Sequence, residues 1–491
     1  MNHRLELLTV DQMAAADRLT IAAGTPGIDL MENAGAAIAQ AIRENWQARP
    51  TLVLCGPGNN GGDGWVVARL LAEAGWPARL AAQVPAARLK GDAALAAGRW
   101  PGPVEALDEG TDPDALLADG PLVVDALFGA GLVRPVEGVA AALLAAVRNR
   151  GSDLVAVDMP SGVHGDSGEV WGVAAPAALT VTFFRKKPGH VLLPGRQLCG
   201  RVIVADIGIP DAVLSEIRPA TAENGPGIWR ETLPRPDLGG HKYTRGHAVV
   251  LGGERMTGAA RLAAQAARRA GAGLVTIAAP DAAFAIYAAG PPGLLVASLG
   301  EWRAMMADPR RNAVLAGPGT GVGEKTRRAV REALAAGKAT VLDADAITSF
   351  AEYRTTLLKA LHERCVLTPH EGEFARLFDL AGPKPARAAA AAAEAGAVVL
   401  LKGADTVIAA PDGRLAINTN APADLATAGS GDVLAGLILG LLAQGMPPFE
   451  AAAAGAWMHG DAASRFGRGL IAEDLVDGLP AVWRGLADGG G

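Results

Sequence analysis

Short aliphatic or β-branched runs closed by glycine alternate along this chain with longer Ala/Leu/Arg segments of helical spacing. The runs lie at 51–55, 122–127, 154–157, 180–184, 247–251, 274–278, 313–316, 340–342 and 398–401. That alternation predicts an α/β fold with largely parallel sheets covered on both faces, and strand-end loops are where ligands of such folds sit. A chain of 491 residues exceeds what one core fills, so two domains are expected. Pro210, Pro219, Pro226, Pro234, Pro236 and the pair Gly239-Gly240 break the rhythm, a composition typical of linkers. The boundary is therefore expected near Ala222, giving domains 1–221 and 222–491.

Hydrophobic residues make up 50% and charged residues 20%, which predicts packed cores rather than a disordered chain. The net charge of -6 argues against general nucleic-acid binding, which needs a basic surface. Cys55, Cys199 and Cys365 lie far apart, form no zinc or C-x-x-C spacing and fit a reducing cytosol. The first ten residues have no apolar core followed by a cleavage site, so a cytoplasmic location is expected. The longest apolar stretch, 433–443, is interrupted by Gly436 and Gly440 and is shorter than the roughly 20 residues of a membrane span. It predicts a buried helix.

In the N-terminal half, Gly56-Pro57-Gly58-Asn59-Asn60-Gly61-Gly62-Asp63-Gly64 separates a strand from a helix predicted over 65–73. Bare backbone N–H groups at such a helix start can bind an anion such as pyrophosphate. Two amides and a carboxylate in a turn supply oxygen atoms that the turn itself does not need. Asp125 and Asp158 each end an apolar strand and open a Gly-containing loop. Asn60, Asp125 and Ser161 offer hard oxygen ligands suited to an alkali or alkaline-earth cation rather than zinc. Taken singly, a strand-end aspartate also serves as a helix N-cap.

These motifs occur with Asp11-Gln12-Met13, Asp29-Leu30-Met31-Glu32-Asn33-Ala34-Gly35 and Phe183-Phe184-Arg185-Lys186-Lys187-Pro188-Gly189. Together they resemble the NAD(P)H-hydrate epimerase family over nearly all of residues 1–210. The resemblance implies that Asn59, Asn60, Gly61, Gly62 and Asp63, with Gly129, Ala130, Gly131, Leu132, Val133, Arg134 and Pro135, contact the hydrated dinucleotide. It implies a potassium ion among Asn60, Asp125 and Ser161, with Asp158 on the substrate. Asp158 is chemically suited to proton transfer, a role the sequence does not separate from plain hydrogen bonding.

In the C-terminal half, Thr427-Ala428-Gly429-Ser430-Gly431-Asp432 leads into the apolar helix. Backbone N–H groups at its start can hold a transferring phosphate, and Asp432 in the first turn can take a proton from a substrate hydroxyl. This element resembles the ribokinase-like superfamily. Gly317-Pro318-Gly319-Thr320-Gly321, Thr368-Pro369-His370-Glu371-Gly372-Glu373 and Leu400-Leu401-Lys402-Gly403-Ala404-Asp405-Thr406 narrow the resemblance to its ADP-dependent NAD(P)H-hydrate dehydratases. The resemblance implies that Lys402, Gly403, Ala404, Asp405, Thr406 and Gly431 bind the adenine nucleotide. It also implies that Ala259, Gly319 or Gly321, His370 and Asp432 contact the hydrate. His370 can equally be a structural strand-end histidine.

The expected fold is two three-layer αβα domains, the first Rossmann-like and the second ribokinase-like. The implied substrates are NADHX and NADPHX, the hydrates of NADH and NADPH, with ADP as co-substrate and magnesium beside it. No nucleic-acid or membrane partner is expected, and a homo-oligomer is. Two other readings stay open at this stage. The C-terminal half would also suit a kinase of a vitamin precursor such as hydroxymethylpyrimidine, and the N-terminal half a scaffold of RNA-associated proteins. The acidic balance and the intact Asn59, Asn60, Asp63, Asp125, Asp158 and Ser161 count against the scaffold.

Overall fold

The computed structural model describes residues 5–487, which divide into two compact units meeting in sequence at Thr221 and Ala222. The N-terminal unit is built on a seven-stranded, fully parallel sheet. Its order is Val104–Ala106, Ala78–Ala82, Thr51–Cys55, Leu122–Ala126, Leu154–Val157, Leu179–Phe183 and Arg201–Ala205. Every residue of the strands at 51–55, 122–126, 154–157 and 179–183 is buried. These stretches are apolar because helices cover both faces. The order reverses between Thr51–Cys55 and Leu122–Ala126, which places a crevice at their carboxyl ends.

The C-terminal unit has a mixed sheet. From Leu295–Ser298 its order runs through Leu274–Ala279, His247–Leu251, Ala313–Ala316, Ala339–Leu342 and Cys365–Leu367 to Val398–Leu401, all parallel. Val407–Ala409 and Leu415–Ile417 then add in antiparallel fashion. Here too the order reverses, between His247–Leu251 and Ala313–Ala316.

The expected apolar helix is Ser430–Ala443, and all of 433–443 is buried. A helix that is apolar all round must have neighbours all round. Helix Thr257–Arg269 approaches it so closely that a Cβ on Gly436 would lie 2.2 Å from the Ala263 carbonyl oxygen. A Cβ on Gly440 would lie 2.4 Å from that of Ala267. The glycines that interrupt the apolar run are thus the contact surface for a second helix. No described helix is long and apolar enough to cross a membrane.

The proline-rich stretch is more ordered than its composition predicts. Ile209 and Val213 are buried in the N-terminal core, and Trp229 is fully buried in that of the C-terminal unit. The Trp229 indole N–H donates to Asn224, whose amide donates to Asn418 and to the Ala453 carbonyl. Pro210 and Pro226 start short helices instead of leaving the chain open there. All three cysteines are buried and unpaired.

The helix contact yields a stability prediction. Gly436→Val should lower the urea midpoint of the C-terminal unit's unfolding, by about 1–3 kcal/mol of overpacking strain. Gly478 lies inside helix Ala472–Ala487, and a Cβ there would make only ordinary contact with Ala462, its Cβ at 3.7 Å and its carbonyl oxygen at 3.9 Å. Gly478→Ala should therefore be neutral or stabilising by up to about 1 kcal/mol. Unchanged unfolding of Gly436→Val would show that the two backbones are not in contact.

Candidate functional sites

In the N-terminal unit a cavity of about 940 Å³ occupies the crevice where the strand order reverses. Asn59, Asn60, Asp63, Asp158 and the whole loop Gly129–Pro135 line it. The glycine turn is shorter than the sequence predicts, because the helix spans Asn59–Glu73 with Gly58 as its N-cap. No side chain caps that end, so the N–H groups of its first turn are available to an anion. Gly61 and Gly62 do not line the cavity. A Cβ on Gly61 would meet the Gly56 carbonyl at 2.0 Å, and one on Gly62 would meet the Met31 side chain at 2.6 Å. They let the helix start close to the strand and to its neighbouring helix.

Asp158 follows strand Leu154–Val157 with φ 63, a left-handed conformation that costs a non-glycine residue energy and needs support. Its carbonyl receives that support from His190 at 2.7 Å. His190 Nδ1 accepts the Lys187 N–H at 2.9 Å, so Nε2 carries the proton and donates to Asp158. Burial, aided by the Lys187 charge, pushes the His190 pKa down to about 4, which keeps the ring neutral. One carboxylate oxygen of Asp158 takes Lys187 Nζ at 2.5 Å and the Thr182 hydroxyl at 2.8 Å, and the other takes the Ala130 N–H at 3.3 Å. Burial acts to raise Asp158, but Lys187, helped by His190 and Thr182, outweighs it and holds the carboxyl below its usual range. Asp63 shows the opposite balance. Burial, then repulsion from Asp158 and Asp17, pushes it well above the usual carboxylate range. Lys187 and Asp17 were assigned no role from the sequence. Lys187 sits in the 183–189 motif, whereas Asp17 looks like the solvent side of a helix.

Asp125 and Ser161 stand together away from the cavity surface, both 0% exposed. The Ser161 hydroxyl and N–H meet the Asp125 carboxylate at 2.6 and 2.8 Å, and the Leu127 N–H reaches it at 3.3 Å. Burial raises the Asp125 pKa, opposed only by these neutral donors. No described residue forms an ion pair with it. Asn60 can donate to the Val157 carbonyl at 3.0 Å and accept from the Gly129 N–H at 3.3 Å.

In the C-terminal unit Asp432 lies in the first turn of helix Ser430–Ala443, behind Gly429 at φ 86. Lys402 Nζ binds Asp343 at 2.7 Å and approaches Glu373 at 3.8 Å, and Asp343 also accepts the Thr368 hydroxyl at 2.9 Å. A Cβ on Gly431 would lie 3.7 Å from Lys402 Nζ, which brings the helix start and this lysine together. Burial and the Asp343 charge push the Asp432 pKa up to about 6, with Lys402 opposing and Asp345 adding to the rise. Asp345 in turn accepts the Gly321 N–H at 2.8 Å, tying in the glycine loop. That loop needs glycine: φ is 127, 67 and 83 at 317, 319 and 321, and a Cβ on Gly253 would collide with the Gly319 carbonyl at 1.6 Å.

His370 caps helix Glu371–Leu377. Its Nδ1 accepts the N–H groups of Gly372 and Glu373, while Glu373 returns to the His370 N–H at 2.9 Å. The ring is thereby fixed three residues beyond the end of strand Cys365–Leu367, and it remains exposed. In the 402–406 turn, Thr406 exchanges hydrogen bonds with Gly403, and Asp405 binds Lys384 at 2.7 Å. Those two side chains shape the turn and leave Gly403 and Ala404 exposed. Ala259 lies half-buried in the first turn of helix Thr257–Arg269. A cavity of about 390 Å³ opens beside Gly252 and Thr320, and Lys402 and Asp432 lie outside it.

Residues 248–476 match the family described as NAD(P)H-hydrate dehydratase, and residues 27–189 match the YjeF-related protein N-terminus family. A bifunctional NAD(P)H-hydrate repair enzyme of Moorella thermoacetica is 39% identical, with 98% of this chain and 97% of that protein covered. Its Escherichia coli counterpart is 34% identical, covering 92% and 89%. Among solved structures, a ribokinase-like superfamily protein of Enterococcus faecalis covers 54% of this chain and 96% of its own, with 25% identity and a TM-score of 0.50. With both halves matched in this order, and a full-length relative above the level at which families are shared, the chain belongs to the bifunctional NAD(P)H-hydrate repair enzymes.

Proposed function

We propose that this protein returns hydrated NADH and NADPH to the working cofactors, with an epimerase site in the N-terminal unit and an ADP-dependent dehydratase site in the C-terminal unit. The observation that carries the reading is one carboxylate in each unit matched to proton transfer. Asp158 is held ionised at a dinucleotide-sized cavity, and Asp432 has a pKa of about 6 at a phosphate-binding helix start.

In the epimerase, the open N-terminus of helix Asn59–Glu73 would take the pyrophosphate and loop Gly129–Pro135 would enclose the chain of the ligand. Asp158 then faces the hydroxylated ring carbon as a proton acceptor. Potassium fits the buried oxygen set of Asn60, Asp125 and Ser161, because Asp125 is a fully buried carboxylate among neutral donors. A cation there would balance that charge and fix the loops behind the cavity.

In the dehydratase, Lys402 and the exposed turn Gly403-Ala404 would receive ADP, with its terminal phosphate on the N–H groups around Gly431. Magnesium would come with the phosphates. Asp432 takes the proton from the ring hydroxyl as phosphate transfers to that oxygen. The ring nitrogen then expels phosphate, a far better leaving group than hydroxide, and loss of a proton from the adjacent ring carbon restores the dihydropyridine. Gly321 and His370 border this place through Asp345 and Glu373. Because such a site reads one configuration of the hydroxylated carbon, a fused epimerase supplies it from the other. The buried, unpaired cysteines suit a cytoplasmic setting.

With mixed NADHX epimers, recovery of dihydronicotinamide absorbance should require ADP and release AMP and phosphate in step, and equal recovery without nucleotide would refute the reading. Asp125→Ala should abolish potassium-stimulated epimerisation while dehydration of the correct epimer continues, as followed by separating the epimers chromatographically. Asp432→Asn should keep nucleotide and hydrate binding by calorimetry yet slow single-turnover dehydration by about 100-fold or more. Since the ionised form is the base, wild-type dehydration should fall as pH drops through about 6, and the residual rate of Asp432→Asn should lack that step.

A further inference from the structure

Helix Val10–Ala22 turns one face to the epimerase cavity, through Val10, Met13, Ala14, Asp17 and Ile21. They fall at positions i, i+3, i+4, i+7 and i+11, so these side chains form a single stripe. Asp17 is its one polar member. It is half-buried, and among the described residues it makes no hydrogen bond or ion pair. A carboxyl left without a partner in an apolar stripe has no packing use, and its partner is to be sought in the ligand. The helix is also firmly placed. Its Thr9–Gln12 capping box is complete, and the Val10 N–H donates to Asp166 at 2.8 Å.

We propose that Asp17 is a second catalytic residue of epimerisation, delivering a proton to the ring nitrogen of the hydrate while Asp158 accepts one from the hydroxyl. The inference rests on the epimerase reading of this cavity. The hydroxylated carbon is bonded to the ring nitrogen. As the Asp158 carboxylate takes the hydroxyl proton, the carbon–oxygen double bond forms and the carbon–nitrogen bond breaks. Its electron pair goes to nitrogen, which Asp17 protonates. The product is an open-chain aldehyde. Rotation presents the other aldehyde face, the nitrogen adds back while returning its proton to Asp17, and Asp158 returns its proton to the oxygen. No proton, electron or atom is gained or lost over the cycle.

The assignment uses a physical contrast within one cavity. Asp158 is held ionised by Lys187, whereas burial and the nearby Asp158 charge raise Asp17, against the pull of Lys187 and Arg18. Asp63, on helix Asn59–Glu73, adds a further carboxyl to the cavity lining, and His190 behind Asp158 is neutral. Two carboxyls whose surroundings drive their proton affinities apart divide into acid and base.

The test uses the full-length protein with mixed NADHX epimers and ADP. Recovery should be biphasic, with a fast phase for the epimer the dehydratase accepts and a slow phase limited by epimerisation. A slow phase no faster than spontaneous epimerisation in the wild type would defeat the epimerase reading itself. If that phase is enzymatic, Asp17→Asn should cut its kcat by about 100-fold with little change in KM, and leave the fast phase intact. The wild-type slow phase should fall at high pH, where Asp17 loses its proton, and the variant should lack that limb. Asp17→Glu should recover part of the rate together with the limb. An unchanged slow phase in Asp17→Asn would overturn the proposal, and so would a loss that leaves the pH profile unmoved and is not relieved by glutamate.

Discussion

In a sheet whose strands all run one way, every strand delivers its carboxyl end to the same edge, and every loop that follows must be accommodated there. The N-terminal unit shows how finely this constraint sorts side chains. Asp125 lies within its strand, paired in register with Leu54 and Ala156, so its carboxylate is sealed beneath the loops. Asp158 comes one residue after its strand ends, and its left-handed backbone turns it out into the crevice. A shift of a residue or two along the strand separates a carboxylate that suits a buried cation from one that meets a substrate.

Both proposed bases stand near a lysine, and their proton affinities nevertheless move in opposite directions. Lys187 touches Asp158 directly at 2.5 Å, and this contact overcomes burial. Lys402 is already engaged by Asp343 at 2.7 Å and drawn toward Glu373, so Asp432 feels it only at a distance. Repulsion from Asp343 and Asp345 then adds to burial. The direct partner of the lysine, more than its presence, sets the carboxyl's character.

Strands that fill the middle of a sheet were legible because burial on both faces writes an unbroken apolar run, as in Thr51–Cys55 and Val398–Leu401. Edge strands carry no such mark. Val104–Ala106 is exposed throughout, and Arg201–Ala205 is only partly covered, so their side chains look like loop. Ala78–Ala82 is hidden by its alanines, which favour helix. The site residues followed the same logic. Glycine turns and strand-end aspartates announce themselves by position, while Asp17 was lost because an acid on a short helix normally faces water. The cap role of His370 depends on N–H groups two and three residues ahead of it, a pattern that serine or aspartate would signal and histidine does not.

Burial of the three cysteines has a chemical meaning beyond packing. It pushes Cys199 and Cys365 up to about 12 and Cys55 higher still, so almost no thiolate exists at neutral pH. Thiolate is the form that peroxides, electrophiles and disulfides attack. A protein that mends a damaged redox carrier thus offers oxidants no reactive thiolate of its own, and should keep working under the oxidative conditions that inactivate enzymes dependent on an exposed cysteine.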